Sequence, residues 1–154
     1  MSNRSPVPFE TTLHVRDTCL CLHMQRAARA IARRFDEVLR PVSLTNGQFS
    51  LLMALNRPRP AGMREVAELL ALDRTTLTAN LKPLERRGLV KTQPDPDDRR
   101  SRRLFLTEAG SEVLARAVPL WCRQHEAEEA RLPEGGDRLR LDLALLKSDA
   151  GASR

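Results

Sequence analysis

Between residues 17 and 40 the apolar side chains Leu20, Met24, Ala28, Ile31, Phe35 and Val38 or Leu39 recur at steps of three and four, the period of one face of an α-helix. Arg26, Arg29, Arg33 and Arg34 occupy its other sides, and Pro41 ends it, because the residue before a proline avoids the helical region. Thr45-Asn46-Gly47-Gln48 is a capping-box pattern, in which hydroxyl and amide satisfy each other's free backbone N–H groups. It opens a second helix reaching about Asn56. Arg57-Pro58-Arg59-Pro60-Ala61-Gly62 reads as a connection, since prolines at that spacing exclude helix and central strand alike.

Met63 to Leu70 reads as a short third helix with Val66, Leu69 and Leu70 inward, followed by Ala71-Leu72 as a turn and Asp73 as a helix cap. The fourth helix, Arg74 to Arg87, carries Leu77, Leu81 and Leu84 on one stripe; Pro83 predicts a bend, and Gly88 stands where a left-handed residue closes a helix. Leu89 to Thr92 and Arg103 to Leu106 are short β-type runs joined by a loop from Gln93 to Arg102. Thr107 caps a fifth helix running through Val113, Leu114, Ala117, Leu120 and Trp121, with a kink expected at Pro119. After Pro133-Glu134-Gly135-Gly136, a sixth helix carries Leu139, Leu143 and Leu146. Residues before Asp17 and the segment Ser148 to Arg154 read as loose ends.

A turn-linked helix pair followed at once by a basic hairpin is the layout of a winged helix-turn-helix, whose second helix enters a major groove and whose wing reaches a minor groove or phosphates. The expected fold class is mainly α with a small β wing. It comprises a DNA-binding lobe at residues 44–107 and helical dimerisation regions at 17–40 and 108–147, within one domain spanning 1–154. With the leucine stripe of the fourth helix inward, Thr75, Ala79, Lys82 and Arg86 fall on the opposite face, flanked by Thr76 and Thr78. Threonine hydroxyls serve base edges or phosphates, Ala and Thr methyls suit thymine, and Lys82 suits a phosphate. Asn80 suits adenine but lies nearer the leucine stripe. At the loop, Arg99, Arg100, Arg102 and Arg103 concentrate four guanidinium groups in five residues. A merely solvated loop gains nothing from that repulsion, whereas a phosphate-lined groove relieves it. Asp97 and Asp98 stand just upstream, either suited to hold an arginine extended.

Composition narrows the partners. A formal charge of +6 favours a polyanion, and 3% aromatic residues with no tyrosine leave few stacking platforms for single strands, so duplex DNA is the better match. No apolar run approaches the roughly 20 residues of a membrane span, and the first ten residues lack the apolar stretch of a signal peptide. A cytoplasmic protein with no membrane partner is expected. No glycine-rich oxyanion turn or local triad accompanies Cys21 or Cys122 with a histidine, so neither an enzyme nor a cofactor is expected.

Asp95-Pro96-Asp97-Asp98-Arg99-Arg100-Ser101 and Leu104-Phe105-Leu106-Thr107-Glu108-Ala109-Gly110 closely resemble the wing of the MarR family of multiple-antibiotic-resistance regulators. Leu84-Glu85-Arg86-Arg87-Gly88-Leu89-Val90 resembles the end of that family's recognition helix, and the likeness spans roughly Cys21 to Gly110. The resemblance implies that Arg100 enters the minor groove, that Asp98 braces it, and that first and last helices join two copies into a triangular body with two DNA-binding lobes. The apolar faces of the terminal helices agree, since so short a chain has nothing else to bury them. A homodimer predicts a pseudo-palindromic operator; repression, and release by a small-molecule effector seated between the dimer helices and the DNA lobes, are expected beside it.

Three thiols, Cys19, Cys21 and Cys122, are too few for a disulfide framework. They read as small buried hydrophobes, as redox groups, or as ligands to a metal with His14, His23 or His125. The two-residue steps of Cys19-Leu20-Cys21-Leu22-His23 do not gather ligands on one helix face, and no metal is expected. Cys19-Leu20-Cys21-Leu22 resembles the start of the family's organic-hydroperoxide-sensing branch, which implies Cys21 as sensor and Cys122 as resolving thiol. That branch steadies its cysteine with tyrosines, and here the corresponding slots hold Gln25 and Phe35.

Overall fold

The computed structural model describes residues 6–147, so the expected loose tail Ser148 to Arg154 lies outside the described residues. Residues 9–16, expected to be loose, instead form most of helix α1, Phe9–Thr18. α1 buries none of its residues, and an unburied helix leaves no periodic stripe for a sequence reading to find. At Cys19 the backbone turns extended (φ −67°, ψ 106°), and its Sγ accepts the Leu22 N–H at 3.5 Å. The predicted helix from Asp17 is thereby split, and α2 runs Leu20–Leu39. A short 3₁₀ turn, Arg40–Val42, holds Pro41, and Ser43 closes it with φ +54°.

Helix α3, Asn46–Leu55, begins at the predicted capping box, with Thr45 and Gln48 bonded in both directions. Asp36 of α2 adds a further acceptor, 2.6 Å from the Asn46 N–H. Within the predicted connection lies a two-residue strand β1, Ala61–Gly62, paired antiparallel with β3 through Ala61 with Leu104 and Gly62 with Arg103. Two residues are too few to show alternation. Helix α4, Met63–Leu70, ends at Ala71 in the left-handed region (φ +52°). The Asp73 carboxylate accepts the Thr76 N–H at 2.7 Å and starts α5, Arg74–Arg86. Pro83 sits inside α5, which nevertheless continues to Arg86, and Gly88 is left-handed as expected (φ +69°).

Strands β2, Val90–Pro94, and β3, Arg102–Leu106, form the wing in a sheet ordered β1-β3-β2. Pro94 falls on an outer strand, where a missing N–H breaks no interior ladder. Thr107 caps α6, Glu108–Glu129, which passes through Pro119 without interruption. Helix α7, Gly135–Lys147, follows.

One apolar core joins α2, α3, α4, α5, the sheet and α6, with Leu39, Leu52, Leu77, Leu84, Val66 and Leu104 almost wholly buried. Trp121 stacks near Phe35 and Phe49, at 6.2 and 5.9 Å between ring centres, and so fastens α6 to α2 and α3. Gly110 lies where the start of α6 presses on the chain between α5 and β2, and a Cβ there would overlap the Leu89 carbonyl oxygen. Leu139, Leu143 and Leu146 of α7 do not enter this core and are exposed.

Candidate nucleic-acid interface

The stripe Leu77, Leu81 and Leu84 is buried, which turns the other side of α5 outward. Thr75, Thr76, Thr78, Ala79, Lys82 and Arg86 are all exposed, as is Asn80 despite its place beside the stripe. Two of the threonine hydroxyls already have work to do. Thr76 Oγ1 donates to the Asp73 carboxylate at 2.8 Å, and Thr78 Oγ1 donates to the Arg74 carbonyl at 2.8 Å. Each spends its one proton within the helix and keeps acceptor capacity. Bonds from the Thr76 amide and hydroxyl hold the Asp73 carboxyl below its ordinary range, so the cap stays ionised near neutral pH.

Asp97, one of the two carboxylates expected to hold an arginine, does so, but the arginine is Arg103 and Asp95 shares it. Arg103 Nε donates to Asp95 at 2.9 Å and Arg103 Nη2 to Asp97 at 3.1 Å. Asp98 accepts the backbone N–H of Arg100 at 3.0 Å, so it shapes the turn beneath Arg100 and does not hold that guanidinium. The Asp95 amide bonds the Ser101 carbonyl and the Ser101 amide bonds the Asp98 carbonyl, closing the tip on itself. With Arg103 neutralised, Arg99, Arg100 and Arg102 are exposed and form no ion pair among the described residues. The Arg103 guanidinium beside Asp95 holds that carboxyl below the usual carboxylate range.

Helix and wing converge. A cleft of about 580 Å³ separates α4 from the wing and is bordered by Arg64, Arg74, Asp98, Arg100 and Arg102. The start of α5 and the arginine-bearing tip therefore sit on one side of the lobe, over an apolar floor of Met63, Ala67 and Leu72. Arg64 reaches Glu68 at 2.7 Å. A further tie joins the two probes, since Thr92 of β2 donates to Glu85 of α5. The sequence reading missed Asp95 and Thr92 in these roles, because Asp95 acts across the hairpin and Thr92 acts between β2 and α5, and neither meeting is visible in local spacing.

None of the three thiols is buried: Cys21 is exposed and Cys19 and Cys122 are half-buried. The expectation of small core hydrophobes therefore fails. Helix α1 buries none of its residues and so does not cover the first two, and Cys122 lines a pocket. Gln25 Nε2 donates to Cys21 Sγ at 3.3 Å, while Phe35 is buried against Trp121. Among the described residues no three metal-ligating side chains come together. No described helix is long and apolar enough to cross a membrane.

Two pockets lie beside the core. One of about 420 Å³ opens between α3, α4 and α6 and is lined by Phe49, Met53, Leu69, Leu70, Trp121 and Cys122. Another of about 330 Å³ lies among α2, α6 and α7, apolar at Ala27, Ile31 and Leu139, with Arg34 and Arg140 at its margin. Arg34 there makes a two-point contact with Glu128, at 2.5 and 2.7 Å, which keeps the Glu128 carboxyl below its usual range.

The geometry has counterparts. A model of the MarR family matches residues 44–101. The structure of the M. tuberculosis transcriptional regulator MosR in complex with DNA is 38% identical, with a TM-score of 0.77, over 83% of this chain and 92% of that one. The transcriptional repressor CouR bound to a 23-mer DNA duplex is 33% identical, with a TM-score of 0.71, over 86% and 92% of the respective chains. The transcriptional regulator TtmR of Methylorubrum extorquens is 35% identical over 94 residues, 61% of this chain. The match spans 48% of that relative's own length.

Proposed function

The chain belongs to the MarR family of winged helix-turn-helix regulators and is a DNA-binding transcription regulator, and from that premise we propose that it acts as a homodimeric repressor on a pseudo-palindromic operator. The observation that carries the reading is the convergence of the start of α5 and the wing tip at one cleft, with Arg99, Arg100 and Arg102 in no ion pair among the described residues. In the proposed complex Thr75 and Ala79 enter the major groove with Lys82 and Arg86 on its phosphates, and Arg100 enters the adjacent minor groove. Arg99 and Arg102 neutralise backbone charge.

A second copy covers the apolar residues that one chain leaves in water. Phe9, Val15 and Leu20 at one end and Leu139, Leu141, Leu143 and Leu146 at the other are all exposed, a density of apolar surface that marks an interaction face. The two-fold assembly sets two copies of α5 toward successive major grooves, about 34–36 Å apart. The similar protein CouR is a transcriptional repressor, which supports the sign of the regulation.

Release follows from an effector in the pocket between the lobe and α6. Its walls belong to α3 and α4 on one side and α6 on the other, so an apolar molecule seated there has different contacts when the lobe tilts. Only such a difference shifts the DNA-competent population. A second reading, thiol-based control at Cys21, is favoured by the exposure of that residue.

In vitro selection on a randomised duplex library tests the proposal. A dyad-symmetric consensus bound by two chains is expected, and an asymmetric consensus bound by one chain contradicts it.

A further inference from the structure

Two adjacent arginines close α5, and the structure gives them different surroundings. Arg86 is exposed and its side chain makes no hydrogen bond or ion pair among the described residues. Arg87, the helix cap, turns back, and its Nη1 donates to the Ser43 carbonyl at 2.7 Å. Ser43 is the left-handed residue that closes the 3₁₀ turn after α2, and the next residue, buried Leu44, bonds back to the Leu39 carbonyl at 3.3 Å. The end of the recognition helix is thus tied by one side chain to the turn that follows α2.

The next two residues tie the same end to α6. Thr107 Oγ1 donates to the Gly88 carbonyl at 2.7 Å, and the Thr107 N–H donates to the Leu89 carbonyl at 3.1 Å. Leu89 also lies against Gly110 too closely for any Cβ there. Residues 87–89 therefore join the end of α5 to the turn that follows α2 and to the start of α6. The α6 side is held by two bonds and close backbone packing. On the α2 side, Arg87 to Ser43 is the one side-chain hydrogen bond from this junction among the described residues.

We infer that Arg87 is a positioning residue that fixes the pitch of α5 against α2, and hence the separation of the two recognition helices, and that it is not a phosphate contact. One of its five N–H donors is engaged by a carbonyl of its own chain, which aims the side chain back toward the turn after α2, whereas Arg86 and Lys82 have no such bond among the described residues. A charged donor on an ordered carbonyl is a strong bond of fixed direction, and a carbonyl in a closed turn does not move to follow it. The inference rests on the homodimer reading, because a pitch error matters only when two helices must meet two half-sites at once.

The test uses the duplex enriched by the wild-type protein from a randomised library, together with versions carrying one base pair more or fewer at the centre. Wild type is expected to prefer the enriched spacing by roughly tenfold, the scale of a single mismatch in a specific site. For Arg87→Ala that ratio falls toward unity, while the slope of log affinity against log salt stays unchanged. Arg87→Met, which keeps the stem and removes the donor, gives the same result. A slope shallower by about 0.9 with the ratio intact identifies a phosphate contact and overturns the inference. Equal weakening on all three duplexes, with slope and ratio both intact, shows a merely structural role and also overturns it. An enriched duplex without dyad symmetry removes the homodimer reading itself, and the inference with it.

Discussion

Arg103 and Asp95 face each other across the neck of the wing, guanidinium Nε to carboxylate Oδ2 at 2.9 Å, joining β3 to the chain that leaves β2. Only 18% of the Asp95 side chain and 33% of the Arg103 side chain remain exposed, so this pair is better shielded than the tip it supports. Asp97 takes a second nitrogen of the same guanidinium at 3.1 Å. The clamp leaves Arg99, Arg100 and Arg102 as the reach of the wing.

Asp95→Asn is therefore expected to loosen the tip and weaken DNA binding while sparing the core. The pH dependence has a definite sign. The Asp95 carboxyl is lowered mainly by Arg103, so its contribution is complete above the ordinary aspartate pKa of about 3.9 and is lost as pH falls through the lowered folded value. Denaturant unfolding of wild type and variant should differ by a constant amount from neutral pH down to about pH 5, and the difference should vanish in stronger acid. A gap that persists in strong acid contradicts the clamp.

Arg100→Ala is expected to cost operator binding about 1–3 kcal/mol, the worth of one well-placed arginine. Helix content and the apparent molecular mass stay as in wild type, because the Arg100 side chain has no hydrogen-bond or ion-pair partner among the described residues. Fluorescence anisotropy with circular dichroism and light scattering checks both halves. Unchanged affinity removes Arg100 from the interface.

Lys82→Ala should behave differently. A phosphate contact weakens binding by a similar factor on every duplex and lowers the salt slope by about 0.9. Titrations on the selected duplex and on a scrambled one, at several salt concentrations, separate this from base reading, which would change the ratio between the two duplexes.

Gly110→Ala tests the joint between lobe and α6. The added methyl would overlap the Leu89 carbonyl oxygen and press on Leu106, and forced overpacking of this kind costs typically 1–3 kcal/mol. The midpoint of urea unfolding should fall accordingly. A variant as stable as wild type would mean that the backbone yields freely at the joint.

Most of the lobe was legible in the sequence because its devices are local. Thr45 with Gln48, Asp73 with Thr76, Thr107 with Gly110 and the left-handed Gly88 each act within four residues. The leucines of α5 announce its buried face by their spacing, and the exposed threonines follow from it. What sequence alone did not show depends on chain segments that meet in space. Helix α1 has no stripe, β1 has two residues and no alternation, and Asp95 meets Arg103 only through the register of the hairpin. Arg87 looks like its neighbour Arg86 until Ser43, 44 residues earlier, is found beneath it. The assignment of Asp98 as the brace of the Arg100 guanidinium differs for a local reason. A carboxylate two residues away meets the backbone amide before it meets the end of the long side chain.

Hydroxyl-radical footprinting on the selected duplex tests the central claim most directly. Two protected stretches related by a dyad and centred about 10–10.5 base pairs apart are expected, each flanked by minor-groove protection that disappears with Arg100→Ala while the central protection remains. A single asymmetric stretch, or flanks that persist without Arg100, would contradict a two-fold assembly that reads DNA with α5 and the wing.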